Sequence, residues 1–418
     1  MRQDTLKQNT RDQRALKQDT KRQETGKRPN QSVLEQDLER HQGPDMEQPQ
    51  GLGEHEKKVQ RMQTRTWSRS YVNDAGMAVS GPDPGSFPGD AAIPASGRII
   101  QEQSLDQVPM EEDAAGFFLP GEAGTFLDQY ANRRHYLRIP RGYTEQDPIV
   151  LDLHLTGENP DLVDDVFIEA EEDSRVTVLI NYTSEEGQKV RHYGRTRILA
   201  HRNAHVKLVK AQVLGKTAAH TDFIGGIAEE GARLDVVLAE IGARNPFSSC
   251  NLVLKGEGSE AELDAVYLGD GQRSLDMSCR VEHRGKKTLS RITAKGVLLE
   301  QCKKTFRDTL DFISGAAGSR GREEENVLML SPDVRNLSAP VMLCGEENVE
   351  GDHALSSGRL DERILFYLMS RGLSEVEAKK LLAEAAVSSV VEKIPEESIQ
   401  NRIRERVRKA IEKGGQMA

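Results

Sequence analysis

Aromatic side chains make up only 5% of this 418-residue chain, with a single tryptophan, Trp67, and apolar residues make up only 36%. A chain with so little to bury is not expected to fold along its whole length. No run of 18 apolar residues occurs, which excludes a membrane-spanning helix. The opening residues, Met1-Arg-Gln-Asp-Thr-Leu6, hold no apolar signal segment. Cysteine is scarce: Cys250, Cys279, Cys302 and Cys344 lie 29, 23 and 42 residues apart. Without a Cys-x-x-Cys pair there is no zinc ribbon and no self-contained four-cysteine cluster site. Scattered thiols in so long a chain fit a reducing cytosol. The net charge of −10 lacks the basic surplus of a general nucleic-acid binder.

What the chain has first is a repeat. Gln3, Gln8, Gln13, Gln18 and Gln23 recur every five residues, a period that matches neither helix nor strand and makes no apolar face. The first thirty residues carry nine Lys/Arg against four acids. The segment reads as a disordered, dispensable tail over 1–60, with Met46 and Met62 as later possible starts. A basic tail for an acidic partner is the alternative. Residues 61–148 remain rich in Gly, Pro, Asp and Gln and read as a mixed region with short helices. Its landmarks are Arg65-Thr-Trp67 with Tyr71 and Asn73, then Phe117-Phe-Leu119 and Phe126-Leu127 with Tyr130.

From about Pro148 the texture changes. Ile149–Leu155, Val176–Tyr182, Val206–Lys210 and Leu234–Leu238 alternate with Val, Ile and Thr, the signature of strands. A small residue follows a polar turn before each rung: Ser174, Ala204, Ala232 and Ala261, at spacings of 30, 28 and 29. A near-constant period of that length is a stacking architecture in which neighbouring rungs cover one another's apolar faces. The expectation is an all-β core over 149–345, a parallel β-helix of two-strand rungs. A β-sandwich is the alternative.

Residues 346–418 read as a turn-rich loop and a helical domain. A first helix opens at Asp361, carries Leu365, Tyr367, Leu368 and Met369, and stops at Gly372. Ser374-Glu-Val-Glu377 is a capping box for a second, with Val376, Leu381, Leu382 and Ala385. Pro395 precedes a third carrying Ile399, Ile403 and Val407, so charged that loose docking is expected.

Several chemical motifs are weak. Gly215-Lys216-Thr217 resembles the end of a phosphate-binding loop, but Lys210 stands where that loop needs glycine. His201 and His205 would share a metal on a helix; on a strand, four residues span roughly 13 Å, too far for one ion, so they read as turn histidines. Glu171-Glu-Asp173 and Glu323-Glu-Glu325 read as solvated corners. A β-helix carbohydrate-active enzyme, with rows of acids on a strand face, is the alternative. Cys250, Cys279 and Cys302 read as small buried hydrophobes.

One stretch carries more. Cys344 is followed by Gly351-Asp352-His353-Ala354 and then by Arg359-Leu-Asp-Glu-Arg-Ile-Leu-Phe-Tyr-Leu-Met-Ser-Arg-Gly372. It resembles the C-terminal signature of the SufB/SufD family of iron–sulfur cluster assembly proteins, in which a His-containing loop precedes a Phe-Tyr-Leu-x-Ser-Arg-Gly helix. The segments Thr305–Gly315, Glu325–Ser331 and Asn336–Leu343 resemble the last β-helix rungs of that family. SufB-type chains have His-Glu-Ala in the loop and a cysteine about 28 residues earlier; here those positions hold Ala354 and Glu325, so the chain is closer to the SufD type. Gly351 replaces the loop cysteine of many SufD-type proteins, with Cys344 as a possible substitute.

The resemblance implies a right-handed β-helix and a non-enzymatic scaffold in the cytoplasm. It further implies a SufB-like heterodimer partner and a SufC-like ATPase docked on the C-terminal helices. The implied cofactor is a transient cluster shared with the partner, His353 being this chain's ligand and Asp352 a residue that orients its imidazole. A stand-alone, SufB-like homodimeric scaffold is a further alternative. No nucleic acid or membrane is implicated.

Overall fold

The computed structural model describes residues 56–61, 74–78, 87, 90–92, 100–102 and 122–416, all within one compact unit, His55–Ala418. The glutamine repeat, residues 65–73 with Trp67, and residues 117–119 lie outside the described residues.

A two-stranded antiparallel hairpin comes first, β1 (Glu56–Arg61) and β2 (Asp74–Ala78). Then follow β3 (Asp90–Ala92), β4 (Ile100–Glu102) and helix α1 (Glu122–Tyr130). From Arg133 the chain winds through eight strand pairs. They are β5 (Arg133–Ile139) with β6 (Ile149–Leu155), β7 (Asp161–Ala170) with β8 (Arg175–Ser184), β9 (Arg191–Ala200) with β10 (His205–Val213), and β11 (Ala219–Ala228) with β12 (Arg233–Glu240). The others are β13 (Phe247–Leu254) with β14 (Glu260–Gly269), β15 (Ser274–His283) with β16 (Leu289–Leu298), β17 (Lys303–Phe312) with β18 (Ser319–Met329), and β19 (Arg335–Cys344) with β20 (Val349–Arg359). The odd strands β5–β19 with β4 stack into one nine-stranded sheet, and the even strands β6–β20 with β3 into another. Every pairing from β5 and β6 onward is parallel, while β3 and β4 close the first rung antiparallel. The expected β-helix is therefore the fold. Its pairing runs from Arg133 to Arg359, wider on both sides than 149–345.

Stacking is in register. Val176, Val206, Leu234 and Ala261 form one inward column. The corner before each of β8, β10, β12, β14 and β16 is a tight turn whose penultimate residue takes a left-handed backbone: Asp173, Asn203, Gly231, Gly258 and Lys287 all have φ between 56° and 67°. The next residue is small and buried, and at successive corners its N–H donates back across the turn: Ser174 to Glu171, Ala204 to His201, Ala232 to Glu229, Ser259 to Gly256. The fourth corner residue is thus Ser259, and Ala261 occupies the inward position of Leu234. The expected period was right, but the register of that rung was two residues off.

Outer faces are covered selectively. The helices α2 (Glu362–Ser370), α3 (Glu375–Val391) and α4 (Glu397–Gln416) follow β20. Val387, Val391, Ile403 and Val407 of α3 and α4 pack on Val209, Val237 and neighbours, outward residues of the even sheet. On the odd sheet, Phe126 and Leu127 of α1 pack on Val163, Tyr193, Phe223 and Phe247. The expected loose docking of the last helix is corrected: Ile399, Ile403, Val407 and Ile411 are all buried. Their 4-4-4 spacing makes a stripe along an otherwise charged helix.

Histidines and acids hold the corners. His201 bridges Glu169 at 3.2 Å and Glu229 at 3.1 Å, and His205 meets Asp235 at 2.7 Å, which bears out their reading as turn residues. Lys216 ion-pairs with Asp270 and so is engaged inside the protein.

Two outcomes test this packing. Ile403→Ala should cost about 2–5 kcal/mol in denaturant unfolding of the intact chain, the range for emptying a well-packed aliphatic site; a loss below about 0.5 kcal/mol would mean that α4 is loosely held. The hydrogen bond to Glu169, then that to Glu229, raises the His201 pKa from 6.5 to about 9. A raised folded-state pKa stabilises the fold fully below about pH 6.5 and loses that contribution as pH rises through about 9. The melting temperature of wild type minus that of His201→Gln should therefore be positive near pH 6 and shrink toward zero by about pH 10. A difference independent of pH would assign His201 a packing role only.

The open end of the solenoid as candidate functional site

The stretch expected as a turn-rich loop is a strand. β20 pairs along its length with β18, in register from Ser319↔Val349 to Met329↔Arg359. Pairing to an already formed edge overrides the turn propensity of its Gly, Asp and Ser residues. β20 is the outermost strand of the even sheet, and β19 ends the odd one. All residues of β20 after Val349 are exposed. Among the described residues no strand lies beyond the backbone N–H and C=O groups of this end, the arrangement that templates pairing with another chain.

Residues in register on parallel neighbours share a face. Gly321, Glu323, Glu325 and Val327 of β18 are buried, pointing into the lumen. Their partners Gly351, His353, Leu355 and Ser357 therefore continue the same face at the uncovered end. His353 stands directly over Glu323, exposed to solvent. Asp352 leaves on the opposite face and lies 3.7 Å from Arg322. The structure gives it an arginine as neighbour and shows no contact through which it would orient the imidazole. A side chain at Gly351 would require the flexible end of Met342 to move aside. Met342, Phe312 and the exposed Cys344 at the end of β19 border the same opening.

Below this end the lumen is polar, which sequence reasoning missed. Glu323 and Glu325, expected as solvated corner acids, are buried strand residues. Glu325 ion-pairs with Lys304, and it accepts hydrogen bonds from Tyr267 at 2.7 Å and Ser338 at 2.5 Å. A second nest lies deeper: His192 bonds Asp164 at 2.5 Å and His220 at 2.8 Å, and Lys210 donates to Asp222 at 2.7 Å. Burial lowers the His192 pKa and keeps its ring neutral. Between the nests Cys250 and Cys279 stack in register, buried, and Cys279 is followed by Asp308 in the next rung. Burial pushes both thiols up, and that of Cys302 up to about 11, so all three are protonated, as expected of core cysteines. The signal was present in the sequence as period-two polarity, Gly321-x-Glu323-x-Glu325 and Lys304-x-Phe306-x-Asp308, but on strands such charges are commonly placed outside.

Beyond β20 the chain exposes apolar side chains. On α2, Phe366 is 73% and Tyr367 54% exposed, with Ile364 and Met369 also uncovered, and Leu373 after it and Leu381 of α3 are exposed too. No helix among the described residues is long and apolar enough to cross a membrane. No three His, Cys, Asp or Glu side chains among the described residues stand as a finished metal-ligand set. The end of the solenoid therefore presents one imidazole, a free strand edge and an uncovered apolar helix.

Comparison with known proteins agrees with the architecture. The family model described as SUF system FeS cluster assembly, SufBD core domain, matches residues 153–386, from the first even strand into α3. The chain is 25% identical over 269 residues to the iron-sulfur cluster assembly protein SufD of Bacillus subtilis, covering 64% of this chain and 62% of that protein. It is 24% identical over 264 residues to iron-sulfur cluster assembly SufBD family proteins of Staphylococcus saprophyticus and Staphylococcus epidermidis, covering 57% of each. The chain thus spans about three fifths of the length of these curated relatives. With more than half of its residues matched by the family model, this chain belongs to the SufBD core family.

Proposed function

We propose that the chain is a SufD-like, non-enzymatic scaffold subunit in iron–sulfur cluster assembly. In this reading it pairs with a SufB-like chain through the end of the solenoid and carries a SufC-like ATPase on its C-terminal helices, in the cytoplasm. The observation that carries the proposal is the placement of His353. One imidazole, outside any preassembled set of three ligands among the described residues, sits exposed on an edge strand that is paired on one side only. A single nitrogen ligand cannot hold a cluster, whose irons need thiolate or imidazole donors all round. It becomes useful where a partner brings the remaining ligands. The cluster is cargo here, built and passed on.

The features of SufB-type chains are absent in a physically definite way. Where the resemblance places an acceptor cysteine, Glu325 is locked in an ion pair with Lys304 inside the lumen. The carbohydrate-enzyme alternative fits poorly, because the strand acids near this end face the closed lumen rather than a groove able to admit a polymer. The exposed Phe366, Tyr367 and Leu381 give an ATPase subunit an apolar surface to cover.

His353→Ala should fold normally and retain both partners, because the side chain is exposed and makes no packing contact that a partner strand needs. The assembled complex, reconstituted anaerobically with iron and sulfide, should then lose most of its visible charge-transfer absorbance. Loading equal to wild type would make His353 structural.

A further inference from the structure

The rung before the last, β17 with β18, holds an anomaly that the cluster reading does not use. Asp308 of β17 and Glu323 of β18 both point into the lumen and are 3% and 1% exposed. Both carboxylate oxygens of Glu323 and Oδ1 of Asp308 have no hydrogen-bond partner among the described residues. The other charged groups of the lumen differ: Lys304 with Glu325, and Lys210 with Asp222, are matched directly. A buried carboxylate left without a partner costs several kcal/mol, and two neighbouring carboxylates compound that cost. From these oxygens we infer that Asp308 and Glu323 form a binding site for a divalent first-row metal ion inside the mouth of the solenoid, with His353 as its entry ligand.

The chemistry of the donors fits. Two carboxylates and an imidazole are hard-to-borderline ligands of the kind that suit ferrous, manganous or cobaltous ions, with open positions filled by water. The pair is set apart from the fully bonded Glu325 by direction. Glu325 takes its donors from Tyr267, Ser338 and Lys304, whereas Glu323 receives none and faces Asp308. Burial, and the Asp308 charge beside it, pushes Glu323 up; burial, and the Glu325 charge, pushes Asp308 up. Burial thus favours the protonated form of both carboxyls in the free chain, and a dication would bind in exchange for protons.

Access is short. Glu323 lies one strand, about 4.8 Å, beneath the uncovered β20, and His353 is its register partner there. The imidazole is exposed and free to turn toward solvent or toward the mouth, so it can take an ion from solution and share it with the carboxylates beneath. The three side chains do not stand preassembled; ion binding has to draw His353 inward. Because neither Glu323 oxygen is held by another group, the carboxylate can meet the ion without breaking an existing bond. The site shares His353 with the proposed cluster position, yet it requires no partner chain, no sulfide and no cluster.

The test uses the full-length chain alone, under anaerobic conditions, with Co(II) as spectroscopic probe and Fe(II) for stoichiometry by equilibrium dialysis. About one ion per chain is expected, with ligand-field absorbance from Co(II). Glu323→Gln and Asp308→Asn should each weaken binding at least tenfold, His353→Ala by a smaller factor, and Glu324→Gln, on the outward face, not at all. Melting curves establish that each variant is folded, and Glu323→Asp, which keeps the carboxylate, should retain part of the affinity if Glu323→Gln fails to fold. Absence of binding at millimolar ion, or affinity unchanged by loss of both carboxylates in folded protein, would overturn the inference. A chain that binds the ion but fails to support cluster loading in a complex would leave this site standing and remove the scaffold reading. The converse outcome would remove this site alone.

Discussion

In-register parallel stacking is the constraint on which the rest of this molecule depends. A two-strand rung has one apolar face and cannot bury it alone. Each rung is covered by the next, through β-ladders that run unbroken from β5 to β19 and from β6 to β20. The start is closed by the antiparallel β3 and β4. The far end has no such cover among the described residues, so β19 and β20 present free edges beside residues that would elsewhere be lumen. The exposed end is thus a consequence of the architecture, and it is where the proposed partner chain would add its cover.

The same stacking decides what charge can do inside. Residues at one register position in successive rungs lie about 4.8 Å apart, so a polar residue in the lumen meets polar neighbours above and below. His192 and His220 solve this by hydrogen bonding along one column while His192 reaches Asp164 in the neighbouring column, and Lys210 with Asp222 by pairing across rungs. Near the end, Lys304 neutralises Glu325. Removing the lysine would leave a buried carboxylate unmatched, which explains why these groups come in sets. Asp308 and Glu323 stand outside any such set, one rung from solvent and one strand from His353. Energetic tension and proximity to the opening occur at the same place.

The even strands β6, β8, β10 and β12 were legible because their first inward positions are Val, Leu and Ile, and the period of the corner turns carried the architecture. The odd strands were less so. β9, Arg191-His-Tyr-Gly-Arg-Thr-Arg-Ile-Leu-Ala200, has His192 and Thr196 inside and Arg195 and Arg197 beside Asp165 outside, so polar residues fall on both faces and the alternation that marks a strand is lost. The same loss of alternation hid Glu323 and Glu325. β20 was hidden for a different reason: its Gly, Asp and Ser residues favour turns in isolation, and only the ladder offered by β18 makes them a strand. Ile399, Ile403 and Val407 were recognised as a stripe, but the surrounding charge concealed how completely the even sheet covers it. His353 itself was found through resemblance and not through any local physical signal, since a lone exposed histidine carries none.

The central claim is that this chain is one half of a pair joined at the open end of its solenoid. Affinity purification of the full-length chain from its native cell, with quantitative mass spectrometry of what accompanies it, tests this most directly when wild type is compared with Leu355→Pro. Leu355 is exposed on β20, and proline there removes a backbone donor from the edge strand. Wild type should bring down a SufB-like chain in equal amount together with an ATPase, and the proline variant should lose the SufB-like chain while its β-helix stays folded. A folded variant that still retains its SufB-like partner in equal amount, or a wild-type chain that purifies alone, would contradict the account.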